Sequence, residues 1–261
     1  MKENAMNAVR KPADSLALDL DYAEAGQVHF DRTISELGDD RLRGPSLLPG
    51  WTRAHVIAHV GFNARALTRL VDWARTDIEH AMYESADARN REIDCGAPMS
   101  TTELLRLSHG EANALTLAWR AVPDDRWADE VSNAQGARIP VRDTVWMRAR
   151  ELWLHAVDLD HVASESDVPA AVQRRIVQNV LDTWATRDSH RVHAVVSVTG
   201  ERLELVPSPA VVPATADPRA TVSGSLPNLM LWATGRRHAG VSALDVSGRE
   251  IGEAPTARRW L

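Results

Sequence analysis

At 261 residues the chain has room for one large domain or two smaller ones with a buried core. Hydrophobic residues make up 44% and charged residues 25%, and no run approaches the roughly 18 apolar residues of a spanning helix, so membrane-spanning and natively disordered readings are excluded. Thirty Lys and Arg against 36 Asp and Glu leave a net charge of −6, with no basic field for nucleic acid or anionic lipid. The N-terminal sequence lacks the apolar segment and small-residue cleavage site of a secretory leader, which points to a cytoplasmic protein. The single Cys95 has no partner for an internal disulfide, a zinc knuckle or a CxxC motif, so any thiol chemistry calls for a thiol from outside.

Taken in order, the first element is an amphipathic helix over about 14–37, carrying Leu16, Leu20, Ala23, Phe30, Ile34 and Leu37, and stopped by Gly38. The turn Leu48-Pro49-Gly50 then leads to Thr52, an N-cap for a second helix that runs to about 76 with Val56, Val60, Asn63, Leu67 and Leu70 on one stripe. A loop follows over 77–99. Ser100 and Glu103 form the capping box of a third helix with Leu105, Ala112, Leu115, Trp119 and Val122 inward, closed by Pro123. A fourth follows Pro140, with Asp143 as cap, and runs to about 162 through Val145, Trp146, Leu152, Trp153 and Val157. Pro169 starts a fifth, to about 187. Nine tryptophans mostly fall at core spacing in these helices, with Trp146 and Trp153 also candidates to line a pocket.

Glycine and proline then double in density: residues 1–188 hold 15 of the 27, and the last 73 hold 12. Beyond 190, VHAVVSVTG, RLELVPS, PRATVSG and VSALDVSG read as short strands, and SLPNLMLWATG reads as one helix with Ser225 as N-cap, Pro227 in its first turn and Gly235 as C-cap. The fold class is therefore α+β: a four-helix bundle with an added helix over 1–188, then a small α+β domain over 189–261.

Two pairs of residues stand out chemically. His55 and His59 in HVIAH, and Glu151 and His155 in ELWLH, each share a helix face about 6 Å apart along the axis. On an exposed helix a Glu and His at this spacing form only a weak pair. Here Glu151 lies among Trp146, Leu152 and Leu154, where an unpaired carboxylate is costly and a cation is required. The stripe Val56, Val60, Leu67 brings His59 nearer the core than His55, which falls at the rim. His59, Glu151 and His155 make a two-imidazole, one-carboxylate set suited to Zn²⁺, with one position open for water or an external thiol. Asp158 is placed to orient His155, or is a solvated aspartate.

The segments LPGWTRAHVIAHVGFNARAL, MRARELWLHAVDLD and VSGSLPNLMLWATGRR, with the terminal RWL, resemble the mycothiol-dependent maleylpyruvate isomerases of the DinB-like metal-dependent thiol enzymes, over most of 45–163 and 219–261. The resemblance implies the same ligands, His59, Glu151 and His155, and a functional Arg in a Gly-Arg pair, here Gly235-Arg236, with Arg237 beside it. It further implies mycothiol as cosubstrate and conversion of maleylpyruvate to fumarylpyruvate, in gentisate-type aromatic degradation, by thiolate addition to the double bond, rotation and expulsion. Arg236, as the catalytic residue, would hold a carboxylate and stabilise enolate charge from a cleft between the two domains. Arg148 and Arg150 are further candidates for binding mycothiol or substrate, or members of surface ion pairs, and Cys95 is a bystander. Two alternatives stand: a mycothiol-dependent S-transferase on the same scaffold, and a non-catalytic zinc-binding regulatory bundle, which would close the metal with a fourth protein ligand such as His55.

Overall fold

The computed structural model describes residues 12–198, 201–208 and 220–260. The turn expected at 199–200, the segment 209–219 with the start of the third expected strand, and Leu261 lie outside them. Two compact units divide between Ala163 and Ser164.

The first unit holds α1 (Pro12–Ser35), α2 (Asp39–Leu42), α3 (Arg53–Thr76), α4 (Ala86–Gly96), α5 (Thr101–Arg120), the hairpin β1 (Glu130–Ser132) and β2 (Arg138–Pro140), and α6 (Asp143–Asp158). Helices α1, α3, α5 and α6 form the bundle: α3 packs on α5 and α6, and α1 packs on α6 and α5. Phe30, Ile34, Val56, Ile57, Val60, Leu104, Leu152 and Ala156 meet in its core. Gly61 allows the close approach of α3 and α5, because a Cβ there would come within 2.8 Å of Leu107.

The expected caps at Thr52 and Ser100 are present. The Thr52 side chain accepts from the His55 amide, and Ser100 and Glu103 close a reciprocal box. Three expectations change. The stretch 77–99 contains α4, docked on α3 where Gly96 sits against Ala58 and Phe62, so Cys95 is an exposed helical residue rather than a loop residue. Helix α6 ends at Asp158 rather than 162, and Asp143 is its first helical residue, behind an Arg142 N-cap with no side-chain bond. In α5 it is Leu104 that is fully buried, with Leu105 only partly so.

The second unit holds α7 (Ala170–Asp188), β3 (Val192–Val198), β4 (Glu201–Leu205), β5 (Ala220–Gly224), α8 (Leu226–Ala233), β6 (Val241–Leu244) and β7 (Glu250–Glu253). The sheet order is β4-β3-β5-β6-β7, with β3 and β5 parallel and the other neighbours antiparallel. The boundary expected at 188 moves because α7 buries Val172, Ile176, Val180 and Trp184 within this unit. It packs on α8 and β3, with Trp184 edge-on to Trp232 at 5.5 Å. The rise in glycine and proline marks where strands begin, not where packing divides. Ser225 caps α8 as expected, whereas its C-cap is Thr234, and Gly235 at φ +76° follows it as the chain turns away. Among the described residues no helix is long and apolar enough to cross a membrane.

Candidate metal centre

His59 stands two turns into α3, and Glu151 and His155 stand one turn apart on α6, the helix packed against it. Their ligand atoms all lie within 4.8 Å of one another. Glu151 Oε2 is 3.1 Å from Nε2 of His59 and 3.1 Å from Nε2 of His155, and the two rings meet edge to face at 5.0 Å. His59 and His155 are buried, and the Glu151 side chain is 13% exposed, so the carboxylate does sit in the apolar setting its neighbours imply.

Burial pulls these groups in different directions. It holds His59 down to about 4, despite the hydrogen bond that the ring donates to Glu151, so this ring is neutral near pH 7. Burial also opposes charge on His155, but Asp158 and Glu151 outweigh it and raise that ring above its ordinary value. Burial alone would raise the Glu151 carboxyl; bonds from His155 and His59 hold it well below the usual range. Asp158, fully buried, accepts from His155 Nδ1 at 2.8 Å, leaving Nε2 directed at the shared carboxylate. Two imidazole nitrogens and one carboxylate oxygen, converging in a buried pocket with an orienting aspartate behind, fit a Zn²⁺ ion with a position left over.

His55 does not join the set. Its Nδ1 turns back to Thr52, accepting from the backbone amide at 3.3 Å and facing Oγ1 at 2.6 Å, so it is the N3 residue of the capping box. Arg148 is buried rather than at the surface, and among the described residues no carboxylate lies within 4.0 Å of it. It is 2% exposed and donates to Val60 O at 2.6 Å, Asn63 Oδ1 at 3.3 Å and Gln27 Oε1 at 2.8 Å, bracing α6 to α3 and α1. Arg150 Nε lies 3.8 Å from Glu151 Oε1. Trp153 is a core residue donating to Tyr22 O at 3.0 Å, and Trp146 is buried.

The aromatic ring beside the site is Trp51, 5.5 Å from His59 and 6.5 Å from His55. Arg89 of α4 donates from Nη2 to His59 Nδ1 at 3.2 Å. Tyr83 carries an Arg89 guanidinium over its ring, and burial pushes its hydroxyl up to about 12. Sequence reasoning passes over all three: Trp51 precedes the periodic stretch, and Tyr83 and Arg89 sit in the segment read as a loop. In the second unit, Arg237 pairs with Glu165 at 2.7 Å, while Arg236 Nη1 donates to Thr234 O at 3.0 Å.

Residues 23–160, more than half of the chain, match the family described as Mycothiol maleylpyruvate isomerase N-terminal domain. Two solved structures, the mycothiol-dependent maleylpyruvate isomerase and a variant of it with one histidine replaced by alanine, each superpose with a TM-score of 0.80 at 35% identity, covering 94% of this chain and 97% of theirs. Curated protein sequences yield no match to it. With both units aligned and the two-histidine, one-glutamate set in place, the chain belongs to the mycothiol-dependent maleylpyruvate isomerase family of isomerases.

Proposed function

We propose that this protein catalyses the zinc- and mycothiol-dependent cis–trans isomerisation of maleylpyruvate to fumarylpyruvate, as in gentisate-type aromatic degradation. The observation that carries the reading is the convergence of His59, Glu151 and His155 within 4.8 Å, in a chain 35% identical over 94% of its length to a structure of that enzyme. When bound, zinc supplies a Lewis acid that favours the thiolate form of an external thiol. Reversible addition of that thiolate to the conjugated double bond leaves a single bond free to rotate, and its expulsion restores the alkene as the trans isomer, with no net redox change.

The protein's own residues prepare this chemistry. His59 is neutral and so offers a lone pair near pH 7. Asp158 fixes the orientation of His155. Glu151 is ionised and supplies the one negative charge of the donor set. Arg236, the arginine of the Gly235-Arg236 pair, is proposed to hold a substrate carboxylate and to stabilise enolate charge.

The test is loss of the cis-dienoate absorbance of maleylpyruvate with and without mycothiol, alongside elemental analysis of the wild type and His59→Ala. Turnover that needs both thiol and metal supports the proposal, and turnover undiminished without any thiol refutes it.

A further inference from the structure

The guanidinium of Arg89 is an unneutralised cation beside the metal set. Among the described residues no carboxylate lies within 4.0 Å of it, whereas Arg65, Arg69 and Arg126 reach Glu111, Glu92 and Asp77. Instead it lies over two aromatic faces, 5.9 Å from the Trp51 ring centre and 6.0 Å from that of Tyr83. Nη1 donates to the neighbouring Asn90 Oδ1 at 3.3 Å, Nη2 donates to His59 Nδ1 at 3.2 Å, and the Tyr83 hydroxyl is a further neutral hydrogen-bond partner of the guanidinium. Helix α4 is fixed at its other end by Gly96, where a Cβ would come within 2.6 Å of Ala58 one residue before His59, so the helix that carries Arg89 is docked on the stretch that carries the ligand.

A guanidinium has only donors, so in this arrangement His59 Nδ1 must accept and the ring proton sits on Nε2, facing Glu151. A cation bound through Nε2 takes that lone pair and leaves the proton on Nδ1. Two donors then face each other across 3.2 Å, and the contact between Arg89 and His59 can no longer be made. A carboxylate satisfies both, taking one hydrogen bond from Nδ1–H and one or two from the guanidinium fork.

We propose that Arg89 is a carboxylate-binding residue of the metal-loaded site, freed from His59 by metal ligation and taking one carboxylate of the dianionic substrate. The inference rests on the reading above that the site takes a metal and a dicarboxylate.

The experiment compares wild type, Arg89→Gln and Arg89→Lys by three measurements. Zinc affinity is read by competition with a chromophoric chelator. Binding of maleate to the zinc-loaded protein without thiol is read by calorimetry, and KM and kcat for maleylpyruvate are read with mycothiol. In Arg89→Gln, zinc should bind at least as tightly as in wild type, because a cation and a competing donor are gone. Maleate affinity should fall about tenfold or more, and KM should rise by a similar factor with a smaller change in kcat. Arg89→Lys should recover part of the maleate affinity, since it keeps the charge and loses the fork. A purely structural role predicts weaker zinc binding in both variants instead. Unchanged maleate affinity in zinc-loaded Arg89→Gln, or no maleate binding by wild type, overturns the proposal. Should wild type bind maleate through Arg89 yet turn over no maleylpyruvate, the inference stands and the proposed activity falls.

Discussion

His155 Nδ1 and Asp158 Oδ2 lie 2.8 Å apart on one face of α6, and Asp158 has no exposed surface. Glu151, His155 and Asp158 thus form a stack at helical spacing in which each residue orients the one before it. Replacing Asp158 with Asn keeps the shape but removes the charge and allows the amide to turn an N–H toward Nδ1. Zinc affinity should fall about 10- to 100-fold with the fold retained. Chelator competition reads the loss, and an unchanged affinity would show that Asp158 serves packing alone.

The two imidazoles make opposite contributions to the pH dependence of metal binding. His155 is raised above its ordinary value and so carries a second ring proton below that raised pKa, whereas His59, held to about 4, carries only one near neutrality. Metal binding must displace the His155 proton. Zinc affinity should therefore weaken as pH falls through the raised pKa, with about one proton released per ion below that pKa and fewer above it. Calorimetry in buffers of different ionisation enthalpy counts these protons, and a release that stays constant with pH contradicts the assignment.

Arg236 and Arg237 are neighbours with different commitments. Arg236→Ala should lower kcat/KM by about 10²-fold or more, the scale of one lost charge-stabilising donor. Arg237→Ala breaks an exposed pair with Glu165, worth no more than about 1 kcal/mol, and should leave turnover within a few-fold of wild type. Equal losses in steady-state assays would reverse the assignment.

Removing the buried guanidinium of Arg148 strands the Val60 carbonyl and the side chains of Asn63 and Gln27. Arg148→Leu should cost about 3 kcal/mol in denaturant unfolding. Cys95→Ser, on the exposed face of α4, should leave thiol-dependent turnover unchanged.

Much of the site is legible in the sequence because its parts obey local rules. Thr52, the apolar stripe behind it and the four-residue spacings fix where His59, Glu151 and His155 point before any packing is known. Arg89 and Tyr83 follow no such rule. They stand in and before an eleven-residue helix whose sequence is polar at most positions, and the helix is held by the contact of Gly96 with Ala58, a long-range close approach with no periodic trace. Strand β7 is hidden for a related reason: all four of its residues are exposed, so it pairs through its backbone without an alternating side-chain pattern. The placement of α7 is a question of which surface receives its apolar stripe, and the stripe by itself names no partner.

One fastening in the first unit has a kinetic consequence. Arg53, at the first turn of α3, donates to Leu159 O and, at 2.9 Å, to Asp160 O, and the Leu47 amide donates to Asp158 O at 3.0 Å. The beginning of one ligand-bearing helix is thereby clamped to the end of the other, so donors 92 positions apart in the chain behave as though joined by a short tether. An ion taken up there would meet a nearly finished cage, and the time it takes to settle should be governed by shedding its own water rather than by any rearrangement of the polypeptide.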